Sequence, residues 1–393
     1  MSLKIFTIDE QCTGCGACIS ICPKQALSLE YNEEGFYYPK LNPTLCINCK
    51  ACEKVCHVLN LVYDNTISKQ YTALMIKSKS QTLLKQSSSG GIFSLLATQV
   101  MSEGGVVYGA RYNYLKERLE HCSTNECNIN ELRKSKYIES FLGNTFEKVK
   151  KQLIDGKTVL FCGTPCQIDG LNRFLNQKKS PKDKLITVRF VCHGVPSNKF
   201  FTEYKHWIEK KIGSQIIKLD FRPKNKGWRF SNLLLEFSNG KIIDEPHNHN
   251  YYYYFFQHNF FLRKSCYTCK RIYNESSDFT IADFWGIYKY QPNNNDQEGI
   301  SLVLLHSKIS HELFNKIKPQ CNFELLPQTA VDYIYNDISW REECYQSRNE
   351  MSKEIIKKGY MEVAIKKIWK TIFINKQKER IKSIIKKILL WKS

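Results

Sequence analysis

Eight cysteines within the first 56 residues fall into two copies of one pattern, and no other feature constrains this chain as much. Cys12, Cys15, Cys18 and Cys22, followed by Pro23, give C-x2-C-x2-C-x3-C-P. Cys46, Cys49, Cys52 and Cys56 repeat it, with His57 where the proline stood. Three cysteines at two-residue gaps let a tight loop wrap three corners of an iron–sulfur cubane. The small residues Gly14, Gly16 and Ala17 let backbone N–H groups reach its sulfides. The fourth cysteine of each such run ligates the other cluster. The spacing therefore assigns Cys12, Cys15, Cys18 and Cys56 to one [4Fe–4S] cluster, and Cys46, Cys49, Cys52 and Cys22 to a second. Zinc uses four ligands in two separated pairs, not two runs of four.

Residues 1–60 resemble bacterial two-cluster ferredoxins, and His57 is a departure that touches only the local turn. Two clusters so close together form a wire, which implies something at its other end. The chain has 393 residues, enough for two or three domains, and 42% hydrophobic content supports a large buried core. No stretch approaches the roughly 20 apolar residues of a membrane span. The opening MSLKIFTIDE lacks the basic and apolar regions of a signal peptide. A cytoplasmic protein is expected, and there seventeen cysteines read as metal ligation rather than disulfides. The formal charge of +20 falls to roughly +14 once three clusters at about −2 each are counted. Nucleic acid is not an expected partner, because no helix-turn-helix, zinc-finger or RNA-binding signature is present. A redox partner protein or a small reducible substrate is.

Beyond a linker around Asn60–Gln70, buried strands are expected at Gly105–Tyr112, Lys157–Cys162 and Leu185–Cys192, each followed by a loop and a helical pattern. A hairpin is expected at Ser238-Asn239-Gly240. Alternating strands and helices followed by paired strands predict an α/β domain with a mixed sheet, whose ligand groups gather beyond the strands' carboxyl ends. Four segments stand out there. Ser87, Ser88, Ser89, Gly90 and Gly91 precede a helical run, Ile92–Met101, and suit either an anion cradle or an ordinary serine cap. In FCGTPCQ, Thr164 caps a helix with Pro165 first, which places Cys166 in the first turn, where the dipole favours a thiolate. Cys192 sits at a second strand-to-helix corner, in VCHGVP. Cys266 and Cys269 form a CxxC pair. The four cysteines either converge on one cluster, or Cys266 and Cys269 form a dithiol and the other two are core thiols.

GTPCQ, CHGVPS, the segments Asp220–Lys224 and Lys226–Trp228, the CxxC, and Asp283-Phe284-Trp285-Gly286 occur in one order. Together they resemble the coenzyme F420 hydrogenase/dehydrogenase beta-subunit family across residues 70–345. The resemblance implies FAD and a further [4Fe–4S] cluster ligated by Cys166, Cys192, Cys266 and Cys269. It implies a flavin phosphate cradle at Ser88, Ser89, Gly90 and Gly91, with Ser135-Lys136-Tyr137 and Gly163-Thr164 as further flavin segments. The expected fold class is α+β/α/β: a ferredoxin-like domain at 1–60, a mixed-sheet α/β flavin and iron–sulfur domain at 70–350, and a basic amphipathic helical tail at 351–393. The expected function is an iron–sulfur flavoprotein oxidoreductase acting on a small reducible substrate, coenzyme F420-like or unknown. The alternatives are a non-catalytic electron-relay subunit of a larger redox complex, or an accessory protein of cell-surface polysaccharide assembly.

Other features have plain readings. Tyr251–Phe256 (YYYYFF) walls a cofactor or forms a buried helix. His247 and His249 make a metal pair only if a third ligand joins them. Cys122, Cys127, Cys162, Cys321 and Cys344 show no ligand spacing and read as core or surface thiols. Residues 361–393 hold ten Lys/Arg against two Glu. The segment Ile365–Trp391 therefore either lies on an anionic membrane as a peripheral contact or packs with a solvated basic face.

Overall fold

The cysteine runs set the backbone of the first sixty residues. Each loop passes through left-handed conformations twice, at Gly14 (φ 68°) and Gly16 (φ 72°), then at Asn48 (φ 54°) and Lys50 (φ 57°). The second loop thus adopts without glycine what the first adopts with it, and Lys50 carries the strain. Gly16 and Lys50 start five-residue helices, Ala17–Ile21 and Ala51–Val55. Cys22 and Cys56 end those helices in extended backbone, which carries each fourth cysteine away from its own loop. Strands β1 (Leu27–Tyr31) and β2 (Tyr37–Leu41) pair antiparallel between the two runs. The computed structural model describes residues 3–60, 71–269, 277–294, 296–331 and 340–391. The linker expected at Asn60–Gln70 lies outside them except at Asn60.

The larger region is built on β3 (Thr72–Ser78), β4 (Val106–Asn113), β5 (Arg118–Ser123), β6 (Ser140–Phe141), β7 (Val159–Gly163) and β8 (Leu185–Phe190). A separate antiparallel sheet follows, of β9 (Ile216–Asp220), β10 (Asn232–Phe237) and β11 (Ile242–Pro246), with Gly240 at φ 82° in the expected hairpin. Strands β12 (Phe279–Asp283), β13 (Ser301–Leu305) and β14 (Cys321–Leu326) complete the main sheet. Its order is β14-β3-β13-β12-β8-β7-β4-β5-β6. The neighbours β12, β8, β7 and β4 run parallel, and antiparallel strands flank them. The sheet is mixed, as expected.

Alternate residues of β7 serve opposite layers, the period of two that a pleated strand imposes. Val159 and Phe161 pack under the helices Thr145–Ile154 and Pro165–Gln177, while Leu160 faces the helix Ile92–Ser102. The first of these layers also contains Leu3, Ile21 and Val55. The ferredoxin segment therefore shares a core with the sheet rather than hanging from a linker.

The YYYYFF run is the helix Tyr251–Gln257, with Tyr252, Tyr253, Phe255 and Phe256 buried. It packs among Phe200, Tyr204 and Tyr360, so the run builds core. The last two helices, Trp340–Lys358 and Tyr360–Trp391, break at Gly359 (φ 84°). Tyr360, Ala364, Ile368 and Ile372 are buried in the same aromatic cluster. Trp369, Phe373, Ile374 and Ile381 stay exposed among lysines. Among the described residues no helix is long and apolar enough to cross a membrane.

Candidate electron-transfer site

The two cysteine runs of the ferredoxin segment lie among one another. Cys15, Cys12, Cys56 and Cys52 all help to raise the Cys18 thiol, and Cys56 that of Cys12, so the fourth thiol of the second run lies within electrostatic reach of the first loop. Cys22, Cys46, Cys49 and Cys52 line one cavity on the outer side of the segment. Cys49 is the one exposed thiol of the eight. The Thr13 hydroxyl and His57 Nε2 lie 2.9 Å apart, so the residue that replaces proline ties the two loops together.

Cys166, Cys192, Cys266 and Cys269 also converge. Thr164 caps the helix Pro165–Gln177 in a capping box with Gln167, Pro165 is its first residue, and Cys166 lies in the first turn. Cys192 follows β8 directly, and Cys266 lies in the short helix Lys264–Tyr267. The buried Cys266 thiol faces Cys192, Cys269 and Cys166. Cys166 in turn faces Cys15 of the ferredoxin segment.

Burial pushes the Cys15, Cys18 and Cys266 thiols up first, and neighbouring sulfurs add to it; Cys15 is pushed up to about 12. Buried thiols in such groups resist ionisation unless a cationic core neutralises them. Among the described residues, the one group of three or more ligand-type side chains drawn within 4.8 Å of one another is Glu117, His206 and Glu209. At Glu117 and Glu209 the Lys205 ammonium already bridges the two carboxylates, at 2.6 and 2.9 Å. His247 and His249 belong to no such group.

What holds the two constellations together was not legible in the cysteine pattern. Arg263, fully buried, donates to the Cys12 carbonyl (3.0 Å), the Tyr37 carbonyl (2.5 Å) and the Glu139 carboxylate (2.5 Å). Ser265 donates to the same Cys12 carbonyl at 3.1 Å. The segment that carries Cys266 is thus bolted to the first cysteine loop. Gly170 lies inside the helix Pro165–Gln177, where a Cβ would sit 3.1 Å from Cys15 Sγ. A glycine inside a helix costs about 1 kcal/mol against alanine, and that is the sequence signal of this close approach. On the far side the buried Arg348 grips Glu34 through two hydrogen bonds of 2.7 and 2.8 Å.

The segments expected to hold flavin meet beyond β7. Ser88 Oγ accepts from the Ser135 N–H (2.8 Å) and hydroxyl (3.1 Å), which joins the serine–glycine loop to Ser135-Lys136-Tyr137. Ser89 donates to the Ile300 carbonyl, and a Cβ on Gly90 would lie 2.2 Å from the Ile76 carbonyl. Those hydroxyls and the Gly90 approach serve protein partners. Gly91 (φ 87°) starts the helix Ile92–Ser102 with no side-chain cap, leaving its first-turn N–H groups as the donors an anion would use. Lys136 is buried beside Cys162, and burial lowers its ammonium to about 8. A Cβ on Gly163 would lie 3.0 Å from Gln167 Oε1, and the Thr164 hydroxyl lies 3.1 Å from Cys166 Sγ. The remaining motif residues form one bracket at the end of β12. Asp283 accepts from Arg222 and from the Trp228 indole, both at 2.9 Å, and the Trp228 and Trp285 rings stack at 4.9 Å.

Comparison with known proteins finds matches in both parts of the chain. Residues 156–330 match the family described as the C terminus of the coenzyme F420 hydrogenase/dehydrogenase beta subunit. Residues 11–60 match the 4Fe–4S dicluster domain. An uncharacterized ferredoxin of Methanocaldococcus jannaschii is 39% identical over 56 residues, 14% of this chain and 71% of that protein. One of the subunits of the F420H2 dehydrogenase of Methanosarcina mazei is 24% identical over 238 residues, 56% of this chain and 64% of its own length. A chain in a solved structure of the F420-reducing [NiFe] hydrogenase complex from Methanosarcina barkeri aligns with 75% of this chain and 95% of its own length, at TM-score 0.48 and 18% identity. The chain thus carries a region that matches the C terminus of the coenzyme F420 hydrogenase/dehydrogenase beta subunit, with a 4Fe–4S dicluster domain ahead of it.

Proposed function

We propose that the chain is an iron–sulfur flavoprotein oxidoreductase with three [4Fe–4S] clusters. Cys12, Cys15, Cys18 and Cys56 would hold one, Cys46, Cys49, Cys52 and Cys22 the second, and Cys166, Cys192, Cys266 and Cys269 the third. FAD would lie beyond β7, its phosphates at the N–H groups after Gly91 and near Lys136. Bound there, the clusters supply one-electron transfer, and a flavin trades single electrons for a hydride with a small organic substrate, coenzyme F420-like or of another kind. The observation that carries this reading is the close approach of the Cys15 sulfur to the helix that begins beside Cys166, where a Cβ on Gly170 would lie 3.1 Å from it. The exposed Cys49 marks the outer cluster as the one a redox partner protein reaches. Arg263 and Ser265 fix the distance between the first loop and the third constellation, and Gly170 lets them approach.

Protein purified without oxygen should carry about twelve irons per chain, and Cys166→Ser about eight. Iron unchanged by that substitution would remove the third cluster. Release of FAD on denaturation, and turnover of a small substrate by the purified chain, separate this reading from an electron-relay subunit that works only inside a larger complex. The exposed Trp369, Phe373, Ile374 and Ile381, interleaved with Lys366, Lys367 and Lys370, further support a peripheral contact with an anionic lipid surface.

A further inference from the structure

The cavity lined by Cys22, Cys46, Cys49 and Cys52 opens on a surface where lysines outnumber carboxylates. Besides Cys49, the exposed residues of its lining are Pro23, Lys24, Ile47 and Lys50. Lys50 starts the helix Ala51–Val55, and the Lys54 N–H closes on the Lys50 carbonyl at 3.1 Å, so Lys54 stands one turn further along the same face. The Lys4 N–H donates to Glu53 Oε1 at 2.8 Å, which brings a fourth lysine to that helix. All four lysines are exposed, and among the described residues none of their ammonium groups has an ion-pair partner. Glu53 is the one carboxylate between Leu41 and Asn60, and Cys12–Leu29 hold none.

Holding thiols in place does not explain these residues. Ammonium groups do not ligate iron, and several of them around one opening repel each other until an acidic surface lies against them. Leu45 and Ile47 flank Cys46 and are 47% and 58% exposed. Apolar residues within a charged rim are the layout of a protein–protein interface. The formal charge of +20 adds attraction at longer range for an acidic partner. A partner seated here covers Cys49, the one exposed thiol of the eight.

We propose that this surface docks a small acidic iron–sulfur carrier protein, and that Lys24, Lys50 and Lys54 orient it with its redox centre over Cys49. The proposal rests on the reading that Cys22, Cys46, Cys49 and Cys52 hold a [4Fe–4S] cluster, and four thiols on one cavity are the donor set such a cluster requires. In the docked pair one electron leaves the reduced carrier, which is oxidised, and enters the chain, which is reduced by one. No bond forms or breaks, and no proton has to move. The lysines sit in water, so their pull on the carrier reaches only about 10 Å at 0.1 M salt and fades as salt is added.

The anaerobic holoprotein would be mixed, in a stopped-flow spectrometer, with one of two reductants. One is a reduced, strongly acidic plant-type [2Fe–2S] ferredoxin; the other is a reduced sulfonated viologen of zero net charge. The readout is the ratio of the two second-order rate constants, ferredoxin over viologen. Raising salt from about 0.02 M to about 0.5 M should lower that ratio about tenfold or more. Lys24→Glu combined with Lys54→Glu should lower it about tenfold at low salt and flatten its salt dependence. The same charge change at Lys308 and Lys316, on the helix Lys308–Ile317 in the layer on the other face of the sheet, should move it less than about twofold. An iron-loaded protein whose ratio ignores salt, or ignores the Lys24 and Lys54 reversals, would overturn the proposal. So would an equal fall in the Lys308 and Lys316 variant, which would trace the effect to net charge. Equal slowing with both reductants in the Lys24 and Lys54 variant would make the lysines part of the centre and not of a docking surface, and would overturn it as well. A wild-type chain that binds no iron would sink the cluster reading itself, and docking with it.

Discussion

Arg263→Met tests what joins the ferredoxin segment to the third constellation. The side chain makes three charge-assisted bonds in a fully buried setting, to Glu139 and to the carbonyls of Cys12 and Tyr37. It also lies 4.6 Å from the centre of the Tyr38 ring. Burial alone would pull the guanidinium down, but Glu139 beside it more than restores the charge, while burial lifts the Glu139 carboxyl above its ordinary value against the pull of Arg263. Methionine fills much of the volume but leaves Glu139 buried and uncompensated, a loss of about 3–5 kcal/mol. The Glu139→Gln change made in the same chain removes that charge and still accepts the Tyr37 N–H, now 3.1 Å from Glu139 Oε2. The double variant should therefore regain about 2 kcal/mol, with the rest lost to two carbonyls without their donor at about 1 kcal/mol each. Urea unfolding of the anaerobic holoprotein, followed by cluster absorbance, gives the comparison. Midpoints are compared, since bound cofactors make extrapolated energies unsafe. The Cys12 loop should loosen in the single variant, and iron should fall by about four per chain. A single variant with the wild-type midpoint and iron content, or a double variant no better than the single, would refute the reasoning.

Two further outcomes are expected. Burial pushes the Glu34 carboxyl up, but Arg348 and Ser352 pull it down further, so it lies below its usual range. Its contribution is then complete above the ordinary carboxylate value and is lost as pH falls through the lower folded one. Glu34→Gln should cost about 3 kcal/mol near neutrality, and its thermal-midpoint gap to wild type should narrow below about pH 5; a gap that stays constant in acid would mean the ion pair is not its source. The full-length protein should sediment with vesicles rich in anionic lipid and not with neutral ones. Reversing Lys366, Lys367 and Lys370 to Glu should weaken that binding at least 100-fold, at about 1 kcal/mol per lysine; binding that ignores the reversals would exclude the basic face.

The cysteine pattern carried the dicluster domain of residues 11–60, because ligand spacing is local and the chain must close a small loop. The strands at β4, β7 and β8 were legible for the same kind of reason: they are short apolar runs with glycine or polar corners, and their ends fall within two residues of expectation. The flanking strands β3, β12, β13 and β14 were not anticipated, since their places are set by pairing partners distant in sequence, as Leu74 with Val303 and Leu325. The serine–glycine loop read as an anion cradle, but Ser88, Ser89 and Gly90 answer first to Ser135, Ile300 and Ile76. Arg263, Glu139 and Arg348 left no trace in the sequence. A buried ion pair needs two positions that only the fold brings together, and no spacing rule announces it.

The order of the fold explains why a small iron–sulfur unit is fused here rather than recruited as a separate protein. Leu3, Ile21 and Val55 share a core with Phe146, Leu171 and Phe174, so the ferredoxin segment and the helical layer bury each other's apolar faces. Separation would expose that layer, and burial of each such side chain is worth about 1.5–3 kcal/mol. A tethered carrier would have to find its docked position for each electron, at a cost in ordering that a shared core has already met. Fusion also removes a degree of freedom that matters for transfer by distance: the Cys12 carbonyl is held from the Cys266 side by Arg263 and Ser265, and Cys15 rests on Gly170. The outermost thiol, Cys49, faces away from that junction and stays exposed. The segment is therefore held where it meets the larger region and open to solvent at Cys49.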